Sequence, residues 1–293
     1  MQRKQIMPSV NLFTLTLEML DETLNLASPT CLAKEPSTRR IRVNTKVLRS
    51  RHRLCATLLT PISLRKARAR SSEISQLLSQ RRDSEVVVKT LFRVRCACKK
   101  NVRLGGIRRL QALFEDQSPE AVDAWHWVRI RQLLRLERDF WRRLVKAHSA
   151  PPIDCLASGL VQTYRKAHRM YDRARHQRDC QRFHEWRKWV KYLYYQSQCL
   201  ISLGLPAKQD RTKVIKRLGR CLGQHHDLDV LRSHINRLPV SAMPSDKLAS
   251  WSLAIARIEK EHESKALKMA KPLFKSNPER MVEGWFGFDI SLS

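Results

Sequence analysis

Glycine is scarce in this chain, with 8 residues in 293, and proline contributes 12. So few turn-forming residues do not suit the many tight connections of an all-β protein, and no alternating apolar and polar run persists beyond a few positions; the chain reads as all-α. Long apolar runs are also missing. None approaches the roughly 20 residues that a membrane helix needs. Arg3 and Lys4 precede NLFTLTLEML, but Glu18, Asp21 and Glu22 follow without a small-residue cleavage site, which suits an amphipathic helix and not a secretory leader. Cysteines occur at 31, 55, 96, 98, 155, 180, 199 and 221, with no CxxC pair and only a lone CxC at Cys96 and Cys98. That spacing argues against a zinc finger. Several of them fall on apolar helical stripes, where a free thiol acts as a small core residue in a reducing compartment. The expectation is a cytoplasmic protein with no membrane insertion, no cofactor and no metal site.

Acidic residues are in deficit. Against 57 Lys and Arg stand 27 Asp and Glu, for a net charge of +30. Self-repulsion of that size disfavours a compact state unless counter-ions or a polyanion are present, so a negatively charged partner is implied. Nucleic acid, inorganic polyphosphate and anionic lipid all meet that description.

Residues 1–8 read as a tail and 9–27 as a first helix, with Leu12, Leu15, Met19 and Leu26 on one side. Ser37 or Thr38 is placed to cap a helix running to about 57. Further helices are expected from Pro61 to about 80, from Asp83 to about 100 and in a short segment ending near Phe114. Ser118-Pro119-Glu120 opens another, whose apolar pattern is Trp125, Val128, Leu133, Leu136, Phe140 and Leu144. Ala150-Pro151-Pro152 breaks the chain near its midpoint, and Asp154 is placed to cap the helix that follows. The second half then holds a helix to about 177, two basic segments, a helix from Asp227 to about 238 and a last long helix from about 246 to 271. Trp285, Phe286 and Phe288 lie in the remainder, 272–293. The division expected is 1–8, 9–149, 150–271 and 272–293.

Charge is concentrated on single helix faces. In FHEWRKWVKYLYYQ, His184, Arg187, Lys188 and Lys191 fall at i, i+3, i+4 and i+7, while Phe183, Trp186, Val190 and Leu193 form an apolar stripe on another side. KVIKRLGRCLGQHHDLDV repeats the pattern with Lys213, Lys216, Arg217 and Arg220, backed by Val214, Leu218, Cys221 and Leu222. The first half carries Arg39, Arg42, Lys46, Arg49 and Arg53 on one face. Rows of this kind recur about every 5.4 Å along a helix and so suit a linear polyanion better than one compact phosphate. Arg offers a planar fork to phosphate oxygens, Lys a compact charge, and His184, His225 and His226 add donors that are neutral near pH 7. The aromatics Trp186, Trp189, Tyr192, Tyr194 and Tyr195 read as core and groove wall, not as a base-stacking platform.

The two halves match each other. RRIRVNTK from Arg39 faces HEWRKWVK from His184, and LLSQRRDSEVV from Leu77 faces CLGQHHDLDVL from Cys221. Arg39 then stands opposite His184, Arg42 opposite Arg187, Lys46 opposite Lys191, Arg82-Asp83 opposite His226-Asp227 and Glu85 opposite Asp229.

On these residues, FHEWRKWVKYLYYQ and LGQHHDLDVL above all, the chain resembles the CHAD domains, histidine-containing α-helical domains that often accompany triphosphate-tunnel enzyme domains. RRIRVNTKVLRSR and SQRRDSEVV look like the first half of such a domain, and the likeness covers roughly residues 10–270. It implies two four-helix bundles related by a pseudo-two-fold axis around a basic central cleft, and binding of inorganic polyphosphate without catalysis, which would bring the protein to polyphosphate granules. The ligand set carried over is Arg39, Arg42, Lys46, Arg49, His184, Arg187, Lys188, Lys191, Lys213, Lys216, Arg217, Arg220, His225 and His226. Two departures point to a binding surface stronger in the C-terminal half. Arg39 replaces the histidine expected at the start of the first copy, and Ala69, Ser72, Glu73 and Gln76 stand where the second copy has Lys213, Lys216, Arg217 and Arg220. The competing functions are nonspecific nucleic-acid binding and metal-dependent phosphohydrolysis by the HHDLD segment.

Overall fold

Local signals in the sequence set several of the helix starts. Asn11 accepts a hydrogen bond from the Phe13 amide at 2.9 Å and opens α1 (Leu12–Leu26). Thr60 accepts from the Ser63 amide, with Pro61 behind it, and opens α3 (Pro61–Leu77). Asp179 accepts from the Arg182 amide at 2.8 Å and opens α8 (Cys180–Ser202). The structure, a computed structural model, describes residues 11–28, 35–78, 82–98, 104–116, 124–205 and 209–286. Among them are also α2 (Glu35–Leu54), α4 (Arg82–Ala97), α5 (Ile107–Asp116), α6 (Ala124–Ala147), α7 (Ile153–Gln177), α9 (Gln209–Asn236), α10 (Ser245–Leu273) and α11 (Pro278–Phe286). The described residues contain no strand.

Several boundaries differ from expectation. Helix α2 begins at Glu35, so Ser37 and Thr38 lie inside its first turn and do not cap it. Pro152 precedes α7, and Asp154 sits in the first turn, where a carboxylate complements the helix dipole. No second helix starts at Asp227, because α9 continues through Gly223 without a break. Ser118-Pro119-Glu120 lies outside the described residues. In α1 the buried row is Leu12, Phe13, Thr16, Leu20 and Thr23; Leu15, Met19 and Leu26 are only partly covered. In α6 the expected apolar row divides: Leu133 and Phe140 are buried and Leu144 is half-buried, whereas Trp125, Val128 and Leu136 are 60%, 58% and 47% exposed. The face turned inward holds Trp127, Ile130, Leu133, Leu134, Glu137, Phe140 and Trp141.

Glu137 shares the inward face of α6 with these apolar residues. Its carboxylate is buried and meets Nε2 of His52 at 2.8 Å and Nε of Arg70 at 2.5 Å, while Trp141 stacks on His52. A buried charge tolerates this position only because partners from α2 and α3 converge on it. A hydrophobicity pattern does not register a charged residue in the core.

Two hydrophobic cores result. The larger draws on α1, α2, α3, α6, α7, α8 and α11, together with the first half of α9 and the last part of α10, and includes Phe13, Trp141, Tyr164, Trp186 and Ile215. The smaller joins α4 and α5 to the other ends of α9 and α10 through Val87, Leu91, Phe114, Leu231 and Trp251. Each such fully buried large side chain contributes about 1.5–3 kcal/mol relative to exposure. Helix α8 packs against α7, α9 and α2 at once, and so lies between the helices that carry the other two basic rows. Helix α11 packs on α7, where Met281 and Val282 are buried and Arg165 pairs with Glu279. Cys55, Cys98, Cys155, Cys199 and Cys221 are buried free thiols, and burial pushes the Cys55 thiol well up.

Candidate anion-binding groove

Helix α8 presents different sides to its two basic neighbours. A β-carbon built on Gly223 of α9 would lie 3.8 Å from Nε of Arg187, and one on Gly219 would lie 3.6 Å from Cε of Lys191. These glycines, one turn apart, form a stripe over which the two cationic side chains of α8 lie. Successive residues of a helix turn by about 100°, so Lys216 and Arg220 flank this stripe, while Arg217 lies nearly on the far side of α9. Lys213 sits at the outer end in an exposed pair with Asp210 at 3.0 Å, a contact of the kind that contributes little. The row Lys213, Lys216, Arg217 and Arg220 is therefore split, and Lys216 and Arg220 are the members beside α8.

The side of α8 toward α2 carries Trp189, Tyr192 and Gln196. Gln196 donates from Nε2 to the Ser50 carbonyl of α2 at 3.1 Å, which sets the register between the two helices. The Arg53 guanidinium lies 4.1 Å from the Tyr192 ring centre and 5.2 Å from that of Trp189, and Lys166 of α7 lies 5.8 Å from the Trp189 ring centre. Arg39, Arg42, Lys46, Arg49 and Arg53 share the side of α2 next to this contact. Arg39 is exposed; Arg42, Lys46, Arg49 and Arg53 are half-buried. Lys188, exposed, lies on α8 between the sides facing α2 and α9. The three rows thus flank one surface, with α8 as its floor and α2 and α9 as its walls.

The histidines separate. His184 and His226 face each other across the α8–α9 seam, with their Nδ1 atoms 3.0 Å apart. One ring must donate and the other accept, so the pair cannot carry two protons on these atoms. Burial, with Lys188 and Arg187 nearby, holds His184 down at about 4, so it is neutral at physiological pH. His225 is elsewhere. It is 2% exposed, its Nε2 lies 3.2 Å from Glu263, and Phe183 packs on its ring, so it does not reach the groove.

The carboxylates of the HHDLD segment are held by arginines. Asp227 meets Arg93 at 3.3 Å, and Asp229 accepts from Arg232 at 2.8 Å. The Cys180 sulfur and the Asp229 and Glu259 carboxylates lie within 4.8 Å of one another, a set with the donor types of a metal site. Arg232 donates to all three, at 2.9, 2.8 and 2.7 Å, and supplies the positive charge there itself. Asp83 and Glu85 have side chains outside those described. An open hollow between α1 and α6, lined by Leu17, Asp139, Arg142, Arg143, Val145 and Lys146, shares no residue with the groove.

Arg53 belongs to the basic row of α2 but not to the ligand set, and Arg68 was assigned no role. Arg53 ends the α2 row one turn after Arg49. Arg68 of α3 lies one turn before Ser72, whose hydroxyl accepts from Arg49 at 2.8 Å. Nothing in the spacing of α3 marks Arg68, because it reaches the groove only through the packing of α3 on α2.

A family model described as CHAD domain matches residues 21–236. No curated protein matches the chain. Among solved structures, the crystal structure of the CHAD domain from the plant Ricinus communis is similar at 15% identity and a TM-score of 0.58, covering 93% of this chain and 88% of that one. At that identity the likeness is one of fold. No helix of the described residues is long and apolar enough to cross a membrane.

Proposed function

The chain belongs to the CHAD domain family, and from that premise we propose that it binds inorganic polyphosphate, without hydrolysing it, along the groove of α2, α8 and α9. The family is linked in general to polyphosphate binding. The observation that carries the reading for this chain is the position of α8: it packs on α2 and on α9, so three separate basic rows border one surface. A polyphosphate chain bears about one charge per unit and offers only oxygens. Such a ligand asks for many donors in line and little shape discrimination, and Arg42, Lys46, Arg187, Lys188, Lys191, Lys216 and Arg220 supply them. Binding releases counter-ions and weakens steeply with salt, as it does for nucleic acids. A protein that holds the polymer in this way would travel with polyphosphate granules.

Two arrangements favour binding over hydrolysis at the HHDLD segment. His225 is engaged with Glu263, and Asp227 and Asp229 are engaged with Arg93 and Arg232. The Trp189 and Tyr192 rings already face Arg53 and Lys166 and are less open to stacked bases, which favours polyphosphate over single-stranded nucleic acid. The test is competition at matched salt. Labelled long-chain polyphosphate bound to the protein should resist displacement by single-stranded DNA or RNA of equal phosphate content. Displacement at equal or lower nucleic-acid concentration would overturn the reading in favour of a nonspecific nucleic-acid binder.

A further inference from the structure

We infer that Arg49, Arg53 and Arg68, at the corner where α2 packs on α3, form a discrete subsite for one phosphoryl group of the bound chain, with Arg53 held in place by the rings of α8. The inference rests on the polyphosphate reading and adds a helix, α3, that supplies none of the residues proposed above.

Four observations carry it. First, Arg49 is tied to α3 by its hydrogen bond to Ser72, and Arg68 lies one helical turn from Ser72 on the same side of α3, so the corner gathers three guanidiniums. Second, no carboxylate among the described residues meets any of the three. The partners of Arg49 and Arg53 are the Ser72 hydroxyl, the Arg49 carbonyl at 3.2 Å and two aromatic rings. Elsewhere on α3, Arg70 pairs with Glu137 and Glu73 with Arg129, away from this corner. A corner where, among the described residues, three guanidiniums meet no carboxylate is a place for an external anion.

Third, the Nε of Arg53 is buried with no hydrogen-bond partner. Such an orphaned donor has a cost, and an oxyanion at the corner is a chemically suitable acceptor for it. Fourth, the Arg53 guanidinium lies over the Tyr192 ring at 4.1 Å, a contact that reduces the side-chain freedom lost when a phosphate binds. Burial, with Arg68 and Arg49 close by, lowers the pKa of Arg53, as expected where like charges await a counter-charge.

Arg68 is exposed, which makes it the clean position to change. Binding of labelled long-chain polyphosphate to Arg68→Gln should fall about fivefold to tenfold, and the slope of log affinity on log salt should become shallower by about one contact. The control is Arg143→Gln, an exposed arginine of the hollow between α1 and α6. Arg53→Lys keeps the charge but loses the planar fork, and should weaken binding by a similar factor. The subsite is overturned if Arg68→Gln loses no more than Arg143→Gln, or if Arg53→Lys binds as the parent does. Should Arg187→Gln with Lys191→Gln abolish binding while Arg68→Gln matches its control, the subsite fails and the groove stands. Should the parent protein bind no polyphosphate, both fail together.

Discussion

His184 and His225 show how much depends on the surroundings of one side chain. Both are histidines near rows of positive charge; one faces His226 across a seam beside the groove, and the other is sealed against Glu263 and Phe183. His184 also gives a pH prediction with a definite sign. Its folded pKa lies at about 4, below the ordinary 6.5, so between these values the unfolded chain takes up a proton that the folded chain refuses. Stability from this group therefore rises with pH through that window and is lost as the pH falls from about 6.5 toward about 4. His184→Asn should lose less stability between pH 7 and pH 5 than the parent in urea denaturation. Parallel losses in the two proteins would mean that His184 carries no depressed pKa. Glu137 carries a related lesson: as a carboxylate it looks like a surface residue, but His52 and Arg70 make it a core residue.

At the scale of the helix, two kinds of glycine have different duties. Gly159 of α7 crosses the end of α2 so closely that a β-carbon would lie 2.2 Å from the Leu54 carbonyl oxygen. That neighbour is backbone and cannot step aside, so Gly159→Ala should lower stability by about 1–3 kcal/mol. At Gly223 the nearest outside atom to a new β-carbon is 3.8 Å away, on the Arg187 side chain. Gly223→Ala should therefore raise stability, by up to about 1 kcal/mol, because alanine suits a helix interior better than glycine. Chemical denaturation of the two variants checks both signs, and a stabilised Gly159→Ala would refute the close crossing of α7 and α2. The same glycine stripe sorts the α9 cations. Lys216 and Arg220 flank it and Arg217 does not, although their spacing in sequence groups all three.

For the molecule as a whole, the excess of +30 acts on whatever polyanion the groove receives. Arg187 and Lys191 lie over α9 at the centre of the three rows, whereas Arg42 and Lys46 line one wall. Arg187→Glu with Lys191→Glu should therefore weaken polyphosphate binding more than Arg42→Glu with Lys46→Glu, by calorimetric titration at fixed salt, with circular dichroism confirming equal helix content. Equal losses would refute the asymmetry. Much of this was legible beforehand: the basic rows of α2, α8 and α9, the break at Pro151-Pro152 and the long last helix all follow from spacing and turn residues. The outward Trp125, Val128 and Leu136 of α6 were not legible, since an apolar row shows that a helix has a face but not that a neighbour covers it. Nor was Arg68, which the chain places 15 residues from Arg53.

The amino-acid sequence by itself determined that this chain is helical and that its positive charge runs in rows along particular helices. Helical period is a local property, and charge simply adds along the chain. Tertiary structure alone decided which side of each helix meets which neighbour: that α8 lies between α2 and α9, that His225 is buried while His226 reaches the seam, and that Arg68 comes to stand beside Arg53. Those outcomes depend on how each helix is rotated about its axis. That rotation is set by cores assembled from residues far apart in the chain, with Glu137 held by His52 and Arg70 as the clearest case.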